Sequence, residues 1–173
     1  MNKASISLFI WAILLILAQV LVFNRICLFG VAVPFVFLYI LIKLPITLSR
    51  EWMFTIGFAV GMIIDIFSDT LGINALSATI LMAFRRPILR LYVSRDDELS
   101  DPYPGIESLG MFAFLKYSLT FTFVYCTLAF LIESFSVLDP LRLVLKIVSS
   151  TVLSTMLIIG IDSLTMRKSE KRL

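Results

Sequence analysis

The stretch GFAVGMIIDIFSDTLGINAL, residues 57–76, decides how the chain is read. It opens as apolar sequence with Gly57 and Gly61 four residues apart, then places Asp65 and Asp69 one helical turn apart, ahead of Gly72. Residues four apart share one slowly drifting helix face, so Gly57, Gly61, Asp65 and Asp69 align on one side. Glycines on such a face let a neighbouring backbone approach closely, as in G-x-x-x-G packing between membrane helices. Carboxylates inside an apolar span are costly and tend to mark functional positions. The two acids therefore pose a choice between a catalytic pair, a ligand or cation site, and a packing seam that ends in a turn.

Composition sets their surroundings. Of 173 residues, 60% are hydrophobic, against about 45–50% in a soluble domain, and the mean hydropathy is +1.00. Ala4 to Asn24, Ile26 to Ile42 and Tyr117 to Ile132 contain no charged residue. This segregation implies an all-α integral membrane protein. No linker or repeat divides the chain, so residues 1–173 form one polytopic domain. A spanning helix needs about 20 mostly apolar residues, and six segments approach that length: 5–23, 30–47, 52–67, 71–92, 110–132 and 142–165.

The expectation is a six-transmembrane-helix bundle. Its first segment exceeds the h-region of a signal peptide and lacks an A-x-A-like cleavage signal, which predicts a retained helix. Twelve of the 15 lysines and arginines fall on the side of the N-terminus, leaving Arg25, Arg142 and Lys146 opposite. By the positive-inside rule both termini are cytoplasmic. Pro34 either starts or kinks the second helix. The third has 13 charge-free residues, Trp52 to Ile64, before Asp65. That is near 20 Å of helix against a hydrocarbon core of about 30 Å, so Asp65 is either buried among helices or close to the outer interface.

The chemistry available is narrow. Histidine is absent, which removes the commonest general base and metal ligand. Cys27 and Cys126 sit in apolar sequence as small hydrophobes, with no disulfide or metal site expected. An aspartyl dyad would bring its acids from different elements, whereas Asp65 and Asp69 leave one helix; no catalytic residue and no cofactor is expected. A ligand or cation site could form if Asp65 points inward toward Asn74, Ser77 and Thr79. Asp69-Thr70-Leu71-Gly72 forms a turn, with Asp69 in water. Arg85, Arg86, Arg90 and Arg95 form a cytoplasmic anchor snorkelling to anionic lipid headgroups. Val93 to Ser108 is the longest polar connection, bent at Asp101-Pro102-Tyr103-Pro104-Gly105. A cytoplasmic partner would meet this loop or the tail. No basic stripe interleaved with aromatics points to nucleic acid.

The central region resembles MreD, the rod shape-determining membrane protein family of bacterial cell-wall elongation. The likeness runs from Pro34-Phe35-Val36-Phe37 through Lys43-Leu44-Pro45, Gly57-Phe58-x-x-Gly61-x-x-x-Asp65 and Gly72-x-Asn74-Ala75-Leu76 to the arginine-rich end of the fourth helix. Gly57, Gly61, Asp65, Gly72, Asn74 and Ala75 become a helix-packing or partner-binding motif; Asp69 has no counterpart in the family pattern. The resemblance implies a non-catalytic scaffold of the bacterial inner membrane that binds MreC, a bitopic protein, and links it to MreB, RodA and a class B penicillin-binding protein. Such proteins also look like the six-helix substrate-binding S-components of energy-coupling-factor transporters. A small-molecule or vitamin-binding transporter subunit is therefore the alternative.

Overall fold

The computed structural model describes residues 3–22, 32–70, 72–92, 103–134 and 140–170, with side chains described between 11 and 165. The chain is all-helical: α1 (Lys3–Leu21), α2 (Leu38–Ile42), α3 (Arg50–Ser68), α4 (Ile73–Arg90), α5 (Ile106–Leu109), α6 (Met111–Glu133) and α7 (Pro140–Glu170). Among the described residues three helices are long and apolar enough to cross a membrane, Arg50–Ser68, Met111–Glu133 and the Pro140–Thr165 part of α7. Apolar residues surround these helices, so the bundle buries one side of each and leaves large side chains such as Phe112, Phe123 and Met156 on the outside. That distribution suits a lipid environment, where outward leucines and phenylalanines carry no penalty.

The tightest neighbours are α3 with α4 and α6 with α7, joined by α4 against α6. The end at which α3 turns into α4 is called the hairpin end below, and the end at which α4 finishes at Arg90 is called the arginine end.

The second segment departs from expectation. Residues 30 and 31 lie outside those described, and from 32 to 37 the chain is not helical; α2 is a five-residue helix that begins four residues after Pro34. Non-helical backbone is tolerated in an apolar interior only where other groups satisfy its N–H and C=O, and distant side chains do so here. Ser150 Oγ accepts from the Val33 N–H at 2.9 Å, and Ser154 Oγ from that of Phe35 at 2.8 Å. Gln19 on α1 uses both ends of its amide: Nε2 donates to Pro34 O at 2.9 Å, and Oε1 accepts from the Val36 N–H at 2.8 Å.

Phe35 and Phe37 then pack edge-on against the Tyr125 ring, with centroids 5.1 and 5.4 Å away. Phe37, Leu38, Leu41 and Ile42 have no exposed surface. The run starts beside Ser150 near the hairpin end and finishes where Arg85 Nη2 reaches Ile42 O, at the arginine end.

Other boundaries shift by a turn or less, apart from the far end of α7, which continues to Glu170. The short α5, inside the connection expected to be a polar loop, was not anticipated. Gly105 is its N-cap, and Gly110 in the left-handed region (φ 79) separates it from α6.

Candidate functional site

The residues singled out between Gly57 and Leu76 meet along the α3–α4 seam. A Cβ built on Gly61 would lie 2.5 Å from Ala75 Cα and 2.6 Å from Asn74 O, so backbone meets backbone at this point. One turn earlier, a Cβ on Gly57 would meet the Met82 side chain at 2.7 Å and Ala78 O at 3.2 Å. The seam thus closes progressively toward the hairpin end and is tightest beside Ala75.

Asp65 ends the seam and is 2% exposed. Its Oδ2 accepts from the Ala75 N–H at 2.7 Å, and its Oδ1 from the Asn74 N–H at 3.1 Å. The first N–H groups of a helix lack intrahelical partners and are ordinarily met by an N-cap side chain. Gly72 occupies the N-cap of α4 in the left-handed region (φ 78) and has no side chain to offer. Asp65 supplies that cap from the neighbouring helix, where the positive end of the α4 dipole also favours a carboxylate.

Its Oδ1 further accepts from Asn74 Nδ2 at 2.9 Å and from the Thr70 hydroxyl. Asn74 Oδ1 accepts from the Tyr125 hydroxyl at 2.6 Å, which ties the cap to α6. Thr70 and Tyr125 were missed by the sequence reading; Tyr125 is recognisable only once α6 is known to lie against α4.

Asp69 goes elsewhere. It is exposed and closes α3 in the left-handed region (φ 55, ψ 39), where its backbone N–H donates to Asp65 O, while its carboxylate has no hydrogen bond or ion pair with any described residue. Of the neighbours once considered for a site around Asp65, only Asn74 touches it. Thr79 bonds back to Ala75 O at 2.7 Å, and the buried Ser77 hydroxyl has no partner among the described residues.

The arginines divide. Arg85 is 1% exposed and donates through Nη2 to Ile42 O at 3.2 Å and to Leu44 O, so it does not anchor the chain to lipid headgroups. The physical reason is that α2 ends just there with unpaired carbonyls, which a guanidinium fork can meet from the neighbouring helix. Arg86 donates to Leu48 O at 2.7 Å. Arg90 is exposed, and Arg95 lies outside the described residues.

A second buried acid, unanticipated from sequence, sits at the arginine end. Asp162 on α7 is 1% exposed; its Oδ1 meets Lys43 Nζ at 2.7 Å and the Tyr39 hydroxyl at 3.0 Å, and its Oδ2 accepts from the Ile106 N–H at 2.8 Å. The available signal was a lone acid in the otherwise uncharged run of 147–165.

At the hairpin end the helices leave a recess of about 850 Å³. Its walls include Phe35, Phe67, Ile73 and Phe130, with Ser68, Asp69, Thr70, Asn74, Glu133 and Lys146 as its described polar members. Lys146 Nζ bonds both Glu133 oxygens at 2.9 and 3.0 Å and stands 4.6 Å from the Phe130 ring centroid. Among the described residues no cluster of three or more His, Cys, Asp or Glu is placed to hold a metal ion. Compared with known protein families, curated proteins and solved structures, the chain matches none.

Proposed function

We propose that the chain is a non-catalytic, multi-pass scaffold of the MreD type in a bacterial inner membrane, binding an MreC-like bitopic protein within the cell-wall elongation machinery. The chain crosses six times, by α1, residues 32–42, α3, α4, α6 and α7. The second crossing combines four non-helical residues at up to about 3.3 Å each with seven in a turn or helix at about 1.5 Å, near 24 Å at most, which spans the roughly 30 Å hydrocarbon core where the bilayer thins locally. Positive charge places the arginine end and both termini in the cytoplasm and the hairpin end outside.

One observation carries the reading: the scattered segments that resemble the family form a single connected unit. Gly61 meets Ala75, Asp65 caps α4 at Asn74, Asn74 bonds Tyr125, and Tyr125 packs on Phe35 and Phe37. The carbonyl of Leu44, in the Lys43-Leu44-Pro45 segment, accepts from Arg85 at the arginine-rich end of α4. Segments chosen for sequence likeness alone had no need to touch. A rigid hairpin whose acid is consumed in capping suits a surface that holds partner helices. RodA, MreB and a class B penicillin-binding protein are then reached through the assembled complex.

Capture of the tagged chain from native membranes, with crosslinking to locate contacts, is expected to recover an MreC-like partner, and depletion is expected to alter cell shape. Failure of both results removes the proposal. The 850 Å³ recess favours one second reading, a substrate-binding subunit of a vitamin or small-molecule transporter. Tight, saturable vitamin binding near Asn74 in equilibrium dialysis would select it.

A further inference from the structure

The recess at the hairpin end has a sign as well as a volume. Three helices, α1, α3 and α6, finish beside it at Leu21, Ser68 and Glu133. Helix C-termini carry partial negative charge, about half an elementary charge for a long helix. The opposing positive end of α4 is already answered by Asp65, which takes the Asn74 and Ala75 N–H groups. The recess touches α7 at Lys146, beyond the first turn of that helix, where the dipole effect has faded.

Among the lining side chains are two carboxylates, Asp69 and Glu133, and one ammonium, Lys146. Lys146 is committed to Glu133, so among the described residues the Asp69 carboxylate is the recess charge that no ion pair answers. The chain also displays in miniature how this site treats an ammonium: Lys146 is held between a carboxylate and the Phe130 ring. Another acid and another ring, Asp69 and Phe67, also line the recess, and among the described lining residues the only ammonium is that of Lys146.

We propose that the recess is a binding site for a small organic cation, an amine or quaternary ammonium whose apolar body lies against Phe35, Phe67 and Ile73 and whose charge is met by Asp69. The volume falls within the roughly 300–1,000 Å³ of small-molecule sites, which are mostly apolar with a few convergent polar groups. A hard metal ion needs about six to eight oxygen ligands, and a single free carboxylate does not provide them. Aromatic faces beside a carboxylate are instead the surroundings that hold ammonium groups. The inference stands whichever of the two functional readings holds, because a scaffold and a transporter subunit would both carry this recess.

The test uses the full chain in lipid nanodiscs, titrated calorimetrically with benzyltrimethylammonium and, separately, with benzenesulfonate. Saturable binding of the cation is expected, with the anion at least about tenfold weaker. Asp69→Asn should weaken the cation by about tenfold. Asparagine tolerates the left-handed backbone that residue 69 adopts, so an unchanged melting temperature and helical circular dichroism will show that folding is not the cause. Phe67→Leu should weaken it by roughly two- to fivefold through the lost ring face. Equal affinity in Asp69→Asn, equal binding of benzenesulfonate, or no saturable binding of the cation at millimolar concentration overturns the proposal.

Discussion

Substituting alanine for Gly61 tests the central seam more sharply than any change to a charged residue. The added Cβ would stand 2.5 Å from Ala75 Cα, 2.6 Å from Asn74 O and 2.7 Å from Ala75 N. Ordinary carbon contacts lie at about 3.5–4.0 Å, so α3 and α4 must part by roughly 1 Å. All three atoms are backbone, and no rotamer change relieves the clash. The same displacement would carry the 2.7 Å bond from the Ala75 N–H to Asp65 beyond the roughly 3.2 Å limit of a useful hydrogen bond.

Overpacking costs about 1–3 kcal/mol, and a lost cap bond costs about 1 kcal/mol more. Alanine recovers about 1 kcal/mol through its helix propensity. The net expectation is about 2 kcal/mol of destabilisation, close to a 30-fold change in the unfolding equilibrium, since each 1.4 kcal/mol is a factor of ten.

Gly57→Ala is the matched control. Its nearest neighbour is Met82 Cγ, the flexible part of a side chain, and the backbone oxygen of Ala78 is 3.2 Å away. Methionine adapts readily, so the propensity gain should offset the crowding and leave stability within about 1 kcal/mol of the parent. Denaturant or thermal unfolding in one detergent, followed by far-ultraviolet circular dichroism, measures both. A Gly61→Ala protein as stable as Gly57→Ala would refute the backbone-contact argument. If parting the helices and losing the cap are one event, combining Gly61→Ala with Asp65→Ala should fall short of additivity by about 0.5–3 kcal/mol.

Other changes separate the polar groups by what each leaves behind. Asp65→Asn replaces one accepting oxygen with a donor NH2 that faces other donors and is expected to cost about 1–3 kcal/mol, more than Tyr125→Phe, which leaves only Asn74 Oδ1 unanswered; thermal denaturation in detergent ranks the two. Lys43→Met strands a buried carboxylate at Asp162 and should cost about 3–5 kcal/mol, while the double change with Asp162→Leu should recover more than half of that. Gln19→Leu removes both amide bonds to the non-helical run and should accelerate hydrogen exchange at the Val36 amide by at least about tenfold, since that N–H loses its only acceptor. Lys146→Ala breaks an exposed ion pair and should leave the melting temperature nearly unchanged, within about 1 kcal/mol of stability.

The parts of this architecture legible in sequence are those set by local periodicity. Gly57, Gly61 and Asp65 recur every four residues, which suffices to place them on one helix face whatever surrounds it. The turn at Asp69 and Gly72 is similarly local, because the left-handed positions are filled by the residue types that tolerate them. The second segment was misread because its structure is decided far away. Pro34 signals a break, yet whether helix resumes at residue 35 or 38 depends on Ser150, Ser154 and Gln19 offering acceptors to Val33, Phe35 and Val36. No window along the chain contains that information. Arg85 deceived for a related reason. Basic residues at a helix end suggest lipid headgroups, but Arg85 is buried and donates to the carbonyls of Ile42 and Leu44 at and just after the end of α2.

The two buried acids share a logic that separates them from Asp69. Asp65 serves α4 and Asp162 serves α5, and in both cases the helix begins after a glycine, Gly72 or Gly105, that cannot cap its own N–H groups. A carboxylate buried among apolar helices is tolerated when donors or cations surround it. Helix N-termini supply such donors at fixed positions, and Lys43 adds a cation at the second site. Asp65 therefore welds the two helices of one hairpin, and Asp162 joins elements 56 residues apart in the chain. The consequence for chemistry is that neither is available as a base or ligand without uncapping a helix. Asp69, whose carboxylate has no described partner and which lines the recess, is the acid through which this end of the molecule can answer a positively charged partner.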